Sequence, residues 1–310
     1  MQTNPIQPSH RPSQAPQEGP HAAPAPASAH IVDVLIAERA PKLAASRWWP
    51  IVRPGLNRLL GRGAAVRMAD VIGPMQGRDA IDWISQLLRL DVRIEGLEHV
   101  PEAGACVLVA NHPTGIADGI ALHDALKPRR PDLMFYANAD AHRVCPGLID
   151  VLVPVEWELH KRTREKTRET LRLTGIVMDE GRPLVVFPAG RLARMQNGRL
   201  VDPEWIGSAI SIARKQAVPV IPVFMTGPHN FWFHGLARIS SELRDITLFH
   251  ELLNKRGGTF TVRFGAPIAP DALAGEATAV TRAVKDHVEG ALAMRPDAVF
   301  QGLQVRHHQA

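Results

Sequence analysis

The pattern of apolar and polar positions changes its period near residue 91. Before that point, apolar residues recur at the spacing of one helix face, in short stretches. Two sets show this spacing: Ile31, Val34 and Leu35, and then Ile81, Ile84, Leu87 and Leu88. After that point, short apolar runs alternate with longer amphipathic stretches. The chain therefore predicts an N-terminal helical segment followed by a region in which strands and helices alternate.

The apolar runs after residue 90 predict strands, and the amphipathic stretches predict helices. The strands are expected at 92–95, 105–110, 133–137, 151–155, 184–188, 219–225 and 259–265, and the helices at 119–127, 163–181, 205–216 and 278–293. Several runs are apolar throughout, which is typical of strands covered on both faces. We predict an α/β fold, namely a largely parallel mixed sheet with helices on both faces, preceded by the N-terminal helical segment.

This pattern divides the chain into four regions. Residues 1–30 contain seven prolines and almost no large apolar residue, so they cannot offset their ordering entropy and are predicted to be disordered. Residues 31–90 form the helical segment. Residues 91–295 form the main domain, and residues 296–310 form a C-terminal tail.

Composition and charge indicate the kind of partner and the cellular compartment. The formal charge of +5 and the pI near 9.6 favour an anionic partner, either nucleic acid or a membrane surface. The two cysteines, Cys106 and Cys145, are too few for a disulfide framework and favour a reducing compartment. No apolar run reaches the ~20 residues needed to span a bilayer, and no signal peptide is recognised. A cytoplasmic protein is expected.

The positive charge is concentrated at residues 41–69, which carry six basic residues and no acidic one. Trp48, Trp49 and several leucines are interleaved with these charges. One interpretation is a solvated helix that packs on the core with its apolar side. The other is an element at the membrane interface, with aromatic anchors and a basic face. Pro50 and Pro54 are expected to interrupt any long helix here.

Candidate chemistry lies in the stretch "VLVANHPTGIADGIALHDAL", residues 107–126. A predicted strand ends at Asn111-His112, and Asp118 stands where a helix is predicted to begin. An imidazole can accept a proton from a hydroxyl, and a carboxylate on its other nitrogen fixes the tautomer. His112 and Asp118 are therefore a candidate base and partner. Alternatively, Asp118 only caps the helix.

A second group of polar residues lies in "VVFPAGRLAR", residues 185–194. Gly190 permits a tight approach, and Arg191 and Arg194 suit bidentate binding of phosphate or carboxylate. The motifs of serine hydrolases, P-loop enzymes, dinucleotide-binding proteins and zinc proteases do not occur in the chain.

Together these stretches resemble the glycerolipid acyltransferase superfamily, which includes the lysophosphatidate and other lysophospholipid acyltransferases. "NHPTGIAD" looks like the His…Asp block of that family, "FPAGRLAR" like its Phe-Pro-x-Gly block, and "VPVIPVFMTG" like its later Val-Pro-x-x-Pro-Val block. The resemblance covers about residues 91–267. Three features differ from the commonest pattern: five residues rather than four separate His112 from Asp118, Ala189 stands where glutamate is usual, and no arginine follows Pro154-Val155.

The resemblance implies an O-acyltransferase that moves a fatty acyl group from an acyl thioester to a lysophospholipid or related lipid hydroxyl. His112 would be the base and Asp118 its partner. The residues implied in substrate binding are Asn111, Thr114, Gly115, Gly190, Arg191 and Arg194. It implies no metal and no bound cofactor, because acyl-CoA or an acyl-carrier-protein thioester is the co-substrate.

The implied partners are a membrane lipid acceptor and an anionic membrane surface, with no nucleic acid. The implied location is peripheral, on the inner face of the cytoplasmic membrane. Two other functions stay open at this point. One is a lipid-binding protein of the same fold without turnover, and the other is a thioester hydrolase in which His112 activates water.

Overall fold

The computed structural model describes residues 29–59, 61–156, 161–196, 199–228 and 248–303. The helices are α1 (Ile31–Arg39), α2 (Pro41–Ala44), α3 (Trp49–Leu59), α4 (Arg62–Ile72), α5 (Gly77–Leu88), α6 (Ile116–Leu126), α7 (Asp140–Val144), α8 (Arg164–Asp179), α9 (Ser208–Gln216), α10 (Leu248–Asn254) and α11 (Ala277–Asp286). A π-helix (His287–Leu292) continues α11. None of the helices in these ranges is both long and apolar enough to cross a bilayer.

The strands are β1 (Asp91–Glu95), β2 (Cys106–Ala110), β3 (Met134–Asn138), β4 (Leu152–Val155), β5 (Pro183–Val186), β6 (Arg194–Gln196), β7 (Arg199–Val201), β8 (Val220–Thr226) and β9 (Thr259–Phe264). Seven of them form one sheet in the order β1-β9-β8-β2-β5-β3-β4. β8 and β9 pair antiparallel, whereas the other pairs in this sheet are parallel. The prediction of a largely parallel mixed sheet is confirmed.

β2 lies in the middle of the sheet and carries the residues that precede the candidate site. All its residues are buried, and it pairs with β5 on one side and β8 on the other. Its alternate side chains enter two separate clusters. Leu108 packs with α5 and α6 on one face, whereas Val109 packs with α8, α9 and α11 on the other. Helices therefore cover both faces, as predicted.

The N-terminal helices divide into a part that covers the core and a part that does not. Met68 and Ile72 of α4, and Ile81 and Ile84 of α5, belong to the main apolar cluster. In α3, by contrast, the side chain of Ile51 is 70% exposed. The interpretation that the apolar side of residues 41–69 packs on the core therefore holds for α4, whereas Ile51 of α3 does not pack on it.

Other differences from the predicted elements have local causes. Pro54 lies inside α3 rather than ending it, and Pro50 occupies the start of that helix, where a missing N–H is tolerated. The antiparallel hairpin of β6 and β7 was not predicted, because its strands are short and half polar. The helices α7 and α10 were also not predicted.

The predicted N-terminal tail lies almost entirely outside the described residues, whereas the first eight residues of the predicted C-terminal tail, 296–303, are described. Residues 1–28 and 304–310 are not described. His30, which the tail prediction included, belongs to the folded part, because its ring accepts a hydrogen bond from Val32 N–H and contacts Asp70. At the other end, Ala298 is buried and Phe300 packs against the second apolar cluster.

Candidate active site

Three stretches of sequence meet at the carboxyl end of β2. His112 follows β2, and its ring stacks on Phe187, which follows β5, with 4.3 Å between the ring centroids. The Asn111 amide donates to Met225 O at 2.9 Å and accepts from Met225 N–H at 2.7 Å, so it joins the ends of β2 and β8. Parallel strands present their carboxyl ends at one edge of the sheet, where ligands bind in such folds. The resemblance placed these same stretches at one site.

Asp118 is the buried centre of this arrangement. Its side chain has no exposed surface, and it accepts four hydrogen bonds. These come from His112 Nδ1 at 2.9 Å, Thr114 N at 2.9 Å, Gly115 N at 3.0 Å and Thr114 Oγ1 at 2.6 Å. The backbone bonds cap α6, and the imidazole bond orients His112. The same carboxylate therefore both caps α6 and bonds to the His112 ring.

His112 is held at its ring and at both ends of its backbone. The carboxylate beside Nδ1 is an acceptor, so the neutral ring carries its proton on Nδ1 and leaves the lone pair of Nε2 free. The backbone N–H donates to Asp202, and the carbonyl accepts from Ala193 N–H at 2.9 Å. The side chain is 19% exposed, and Nε2 has no hydrogen-bond partner in the part of the chain that the structure describes. The free nitrogen is thus positioned to accept a proton from an incoming ligand.

Gly115 and Gly190 shape the loops on either side of the histidine. Gly115 has φ 102 and Gly190 has φ 59, values that other residues rarely adopt. A Cβ atom on Gly115 would lie 3.4 Å from the Leu192 side chain, so the loop after Phe187 packs directly on the turn after His112. The two loops therefore form one surface.

Arg191 lies on this second loop, and Arg194 begins β6 at its end. Both are exposed, and neither forms an ion pair with a described residue. Ala189, at the position where glutamate is usual in the family, is buried in the apolar cluster that also contains Trp205. This part of the site therefore has two guanidinium groups without an ion-pair partner among the described residues. It has no carboxylate at position 189.

The sequence reading missed the residues that support His112. The pattern predicts Phe187 within a strand but gives it no role in the site, and it gives no signal for Asp202. Both Asp202 oxygens accept from the His112 N–H, and Oδ2 also accepts from Trp205 Nε1. Burial raises the pKa of Asp202 to about 6, although the Trp205 bond opposes this effect. Asp202 is 90 residues from His112 in sequence, and no periodicity or motif links the two.

Comparisons with known proteins relate this chain to acyltransferases. Residues 91–226 match the family model described as Acyltransferase. The chain is 29% identical over 198 residues to a lyso-glycine lipid O-acyltransferase of Phocaeicola vulgatus, which covers 62% of this chain and 69% of that relative. It is 28% identical to the protein of the same name from Bacteroides thetaiotaomicron, with 62% and 71% covered.

Among solved structures, the chain is similar at a low level to the 1-acyl-sn-glycerophosphate (LPA) acyltransferase PlsC from Thermotoga maritima, with a TM-score of 0.41 and 17% identity. That similarity covers 85% of this chain and 92% of that chain.

The His–Asp pair at the carboxyl edge of the mixed α/β sheet lies within residues 91–226, the part of the chain that matches the acyltransferase model. Over this region the chain is similar to lipid O-acyltransferases.

Proposed function

We propose that this protein moves a fatty acyl group from an acyl thioester to a hydroxyl group of a lysolipid, with His112 as general base and Asp118 as its partner. The donor would be acyl-CoA or an acyl-carrier-protein thioester. The observation that carries the proposal is the free Nε2 of an imidazole whose Nδ1 is 2.9 Å from a fully buried carboxylate. The curated relatives, named as lyso-glycine lipid O-acyltransferases, support a lysolipid as the acceptor class.

The reaction proceeds by attack of the acceptor oxygen on the thioester carbonyl carbon. His112 Nε2 takes the hydroxyl proton as the new C–O bond forms, and the Asp118 carboxylate stabilises the resulting imidazolium. When the tetrahedral intermediate collapses, the C–S bond breaks and the imidazolium returns the proton to the leaving thiolate. The thioester is already activated, so no metal or bound cofactor is required in this scheme.

The developing oxyanion would be stabilised at the start of α6. Two N–H groups of the preceding turn, those of Thr114 and Gly115, are already occupied because they donate to Asp118. The N–H groups of Ile116 and Ala117 begin the helix, where no residue of the same helix accepts from them. They are the proposed oxyanion donors, assisted by the helix dipole.

Arg191 and Arg194 are the proposed contacts for an anionic group of the acceptor. Their exposure and their lack of an ion-pair partner among the described residues support this assignment. Gly115 and Gly190 would leave room for the substrate. Asn111 and Thr114 would shape the site through their bonds to Met225 and Asp118.

The proposal is tested by incubating the purified full chain with a radiolabelled acyl thioester and separate lysolipid acceptors. A lyso-glycine lipid and lysophosphatidate are assayed in parallel, with acyl-CoA and acyl-carrier-protein donors. Labelled diacyl product that appears only with acceptor supports the proposal. Free fatty acid released at the same rate without acceptor would identify a hydrolase. Lipid binding without either product would identify an inactive binding protein.

We further propose that the protein works as a peripheral protein on the inner face of the cytoplasmic membrane, with α3 at the lipid interface. The exposed apolar side chains there form what we call the α3 patch, defined as Trp48, Ile51 and Val52, which are 56%, 70% and 52% exposed. The patch and its neighbouring helix also carry exposed basic residues without an ion-pair partner among the described residues. These are Arg47, whose guanidinium lies over the Trp48 ring, Arg58 of α3 and Arg67 of α4. An apolar face flanked by cations suits an anionic leaflet.

A vesicle sedimentation assay at two salt concentrations tests this location. The Arg47, Arg58 and Arg67 to Gln variant should lose binding to anionic vesicles, since each basic residue contributes about 1 kcal/mol at low salt. Arg53 and Arg62 are unsuitable for this test, because both donate to Asp33 of α1 and support the fold.

The matched control removes the same charge from the helices of the opposite face, by changing Arg164, Arg168 and Lys215 to Gln. Equal loss of binding in the two triple variants would reduce the effect to net charge and refute a role for α3. Ile51→Ser should weaken binding at both salt concentrations, because it removes apolar rather than electrostatic attraction.

A further inference from the structure

Asp202 is a buried carboxylate that the proposed reaction does not use. It follows β7 directly, and only 3% of its surface is exposed. Burial of a carboxylate is unfavourable unless hydrogen bonds compensate it. Its position beside the backbone of His112 therefore calls for a physical reason.

The Asp202 side chain accepts hydrogen bonds from His112 and Trp205, and the Asp202 backbone N–H donates a third bond to Glu289. Its oxygens lie 3.1 and 3.2 Å from His112 N, and Oδ2 lies 2.9 Å from Trp205 Nε1. The Asp202 N–H donates to Glu289 Oε1 at 2.8 Å, and Glu289 pairs with Lys285. The indole therefore holds the carboxylate of Asp202, and Glu289 of the π-helix holds its main chain.

The segment that carries Asp202 also joins the two loops of the site. Ile206 N–H donates to Pro188 O at 2.9 Å, and Ala193 N–H donates to His112 O at 2.9 Å. The backbone of His112 is consequently held at its N–H by Asp202 and at its carbonyl by the second loop. A shift of the His112 peptide would move the imidazole relative to both Asp118 and the acceptor.

We propose that Asp202 is a positioning residue for the transfer reaction: it fixes the His112 main chain so that Nε2 meets the acceptor hydroxyl, and its negative charge favours the imidazolium formed in that step. The inference rests on the function proposed above. The charged and titratable groups around Asp202 are His112 on one side and Glu289, with its partner Lys285, on the other. Burial raises the pKa of Asp202 to about 6, so the group is mainly ionised above pH 7.

The test compares the purified full-length wild type with Asp202→Asn at pH 7.5. The asparagine has the same size, but it lacks the charge and has one acceptor oxygen in place of two. We expect kcat to fall about 10- to 100-fold, as for a slightly misplaced catalytic group, with KM for the thioester changed by less than about threefold. Trp205→Phe removes only the indole donor and should give a smaller fall in kcat.

A variant with a comparable structural loss serves as the control. Tyr136→Phe removes the buried bond of 2.6 Å between Tyr136 and Thr174, on β3 and α8. It should lose stability while kcat of the folded fraction stays at the wild-type value. Equal kcat for Asp202→Asn and wild type, or a fall that matches only the unfolded fraction, would overturn the proposal. If Asp202→Asn does not fold, an unchanged kcat in Trp205→Phe would overturn it as well.

A second measurement separates this inference from the proposed function. The rate at which diethyl pyrocarbonate modifies His112, followed by mass spectrometry of its peptide, reports on the imidazole without requiring turnover. We expect an altered rate in Asp202→Asn and an unchanged rate in Tyr136→Phe. A wild type without transfer activity but with this difference would refute the reaction and retain the positioning role. Transfer activity with identical modification rates in all three proteins would refute the positioning role alone.

Discussion

Replacement of Asp118 by asparagine separates the contribution of its charge from that of its shape. The carboxylate accepts three N–H bonds on Oδ2, from His112 Nδ1, Thr114 N and Gly115 N. The two backbone donors require an acceptor at that position, so the asparagine carbonyl oxygen should take the place of Oδ2. The amide nitrogen then replaces Oδ1, where the Thr114 hydroxyl can rotate to accept from it.

This orientation determines what the substitution costs. His112 Nδ1 keeps an acceptor, so the correct tautomer is retained and only the negative charge is lost. Hydrogen bonds to charged groups contribute about 1 kcal/mol more than neutral ones, and the relief of a buried charge offsets part of that loss. We expect unfolding free energy to fall by about 2 kcal/mol. We expect kcat to fall about 100-fold, rather than the roughly 10⁴-fold seen when the tautomer is lost.

The assay combines urea unfolding with initial rates of acyl transfer. Ser85→Ala is the matched control, since it removes a comparable bond of 2.6 Å from a hydroxyl to a carboxylate, between Ser85 of α5 and Asp124 of α6, and leaves the bond between His112 and Asp118. It should cost about 1–3 kcal/mol in stability and change kcat by less than about threefold. If Asp118→Asn destabilises the protein without lowering kcat, Asp118 is only a helix cap. If kcat falls about 10⁴-fold, the asparagine carbonyl oxygen does not face His112 Nδ1 and the tautomer is lost.

Two further predictions concern groups at the edge of the site. Arg191→Ala should raise KM for an anionic lysolipid about tenfold, because one charge-assisted contact contributes about 1.5 kcal/mol. KM for the thioester should stay nearly constant. Equal changes in both KM values would show that Arg191 does not bind the acceptor. The raised pKa of Asp202 means that the folded state binds this proton more tightly than the unfolded state. Its contribution to stability is therefore full below pH 4 and is lost as the pH rises through about 6. Relative to Asp202→Asn, wild-type stability should fall by about 3 kcal/mol between pH 4 and pH 7, and parallel curves for the two proteins would contradict this.

Much of the sheet could be predicted because its strands are apolar throughout. β2 reads as a continuous apolar run ending at Asn111-His112, and a buried strand in a parallel sheet leaves its next residues at the ligand-binding edge. The hairpin of β6 and β7 has no such run, because its short strands pair only with each other. Its position was invisible in the sequence for that reason.

The support of His112 could not be predicted for a different reason. Asp118 is close to His112 in sequence, so the spacing alone suggested a pair, but the same spacing also fits a helix cap. Asp202 reaches His112 across 90 residues, and its role depends on tertiary contacts that no local pattern encodes. Ile51 and Val52 are likewise exposed in the structure, and no spacing in the sequence distinguishes them from buried apolar residues.

His112 is the proposed base for acyl transfer to a lysolipid hydroxyl. The most direct measurement is transfer of a radiolabelled acyl group from thioester to lysolipid by purified wild type and His112→Ala, with folding of both checked by circular dichroism. The site is preformed by contacts that do not involve the ring, such as those of Asn111 and Thr114, so the variant should fold. We predict acceptor-dependent transfer by the wild type and a fall of at least about 1,000-fold in the variant. Transfer by folded His112→Ala at near the wild-type rate would show that His112 is not the base.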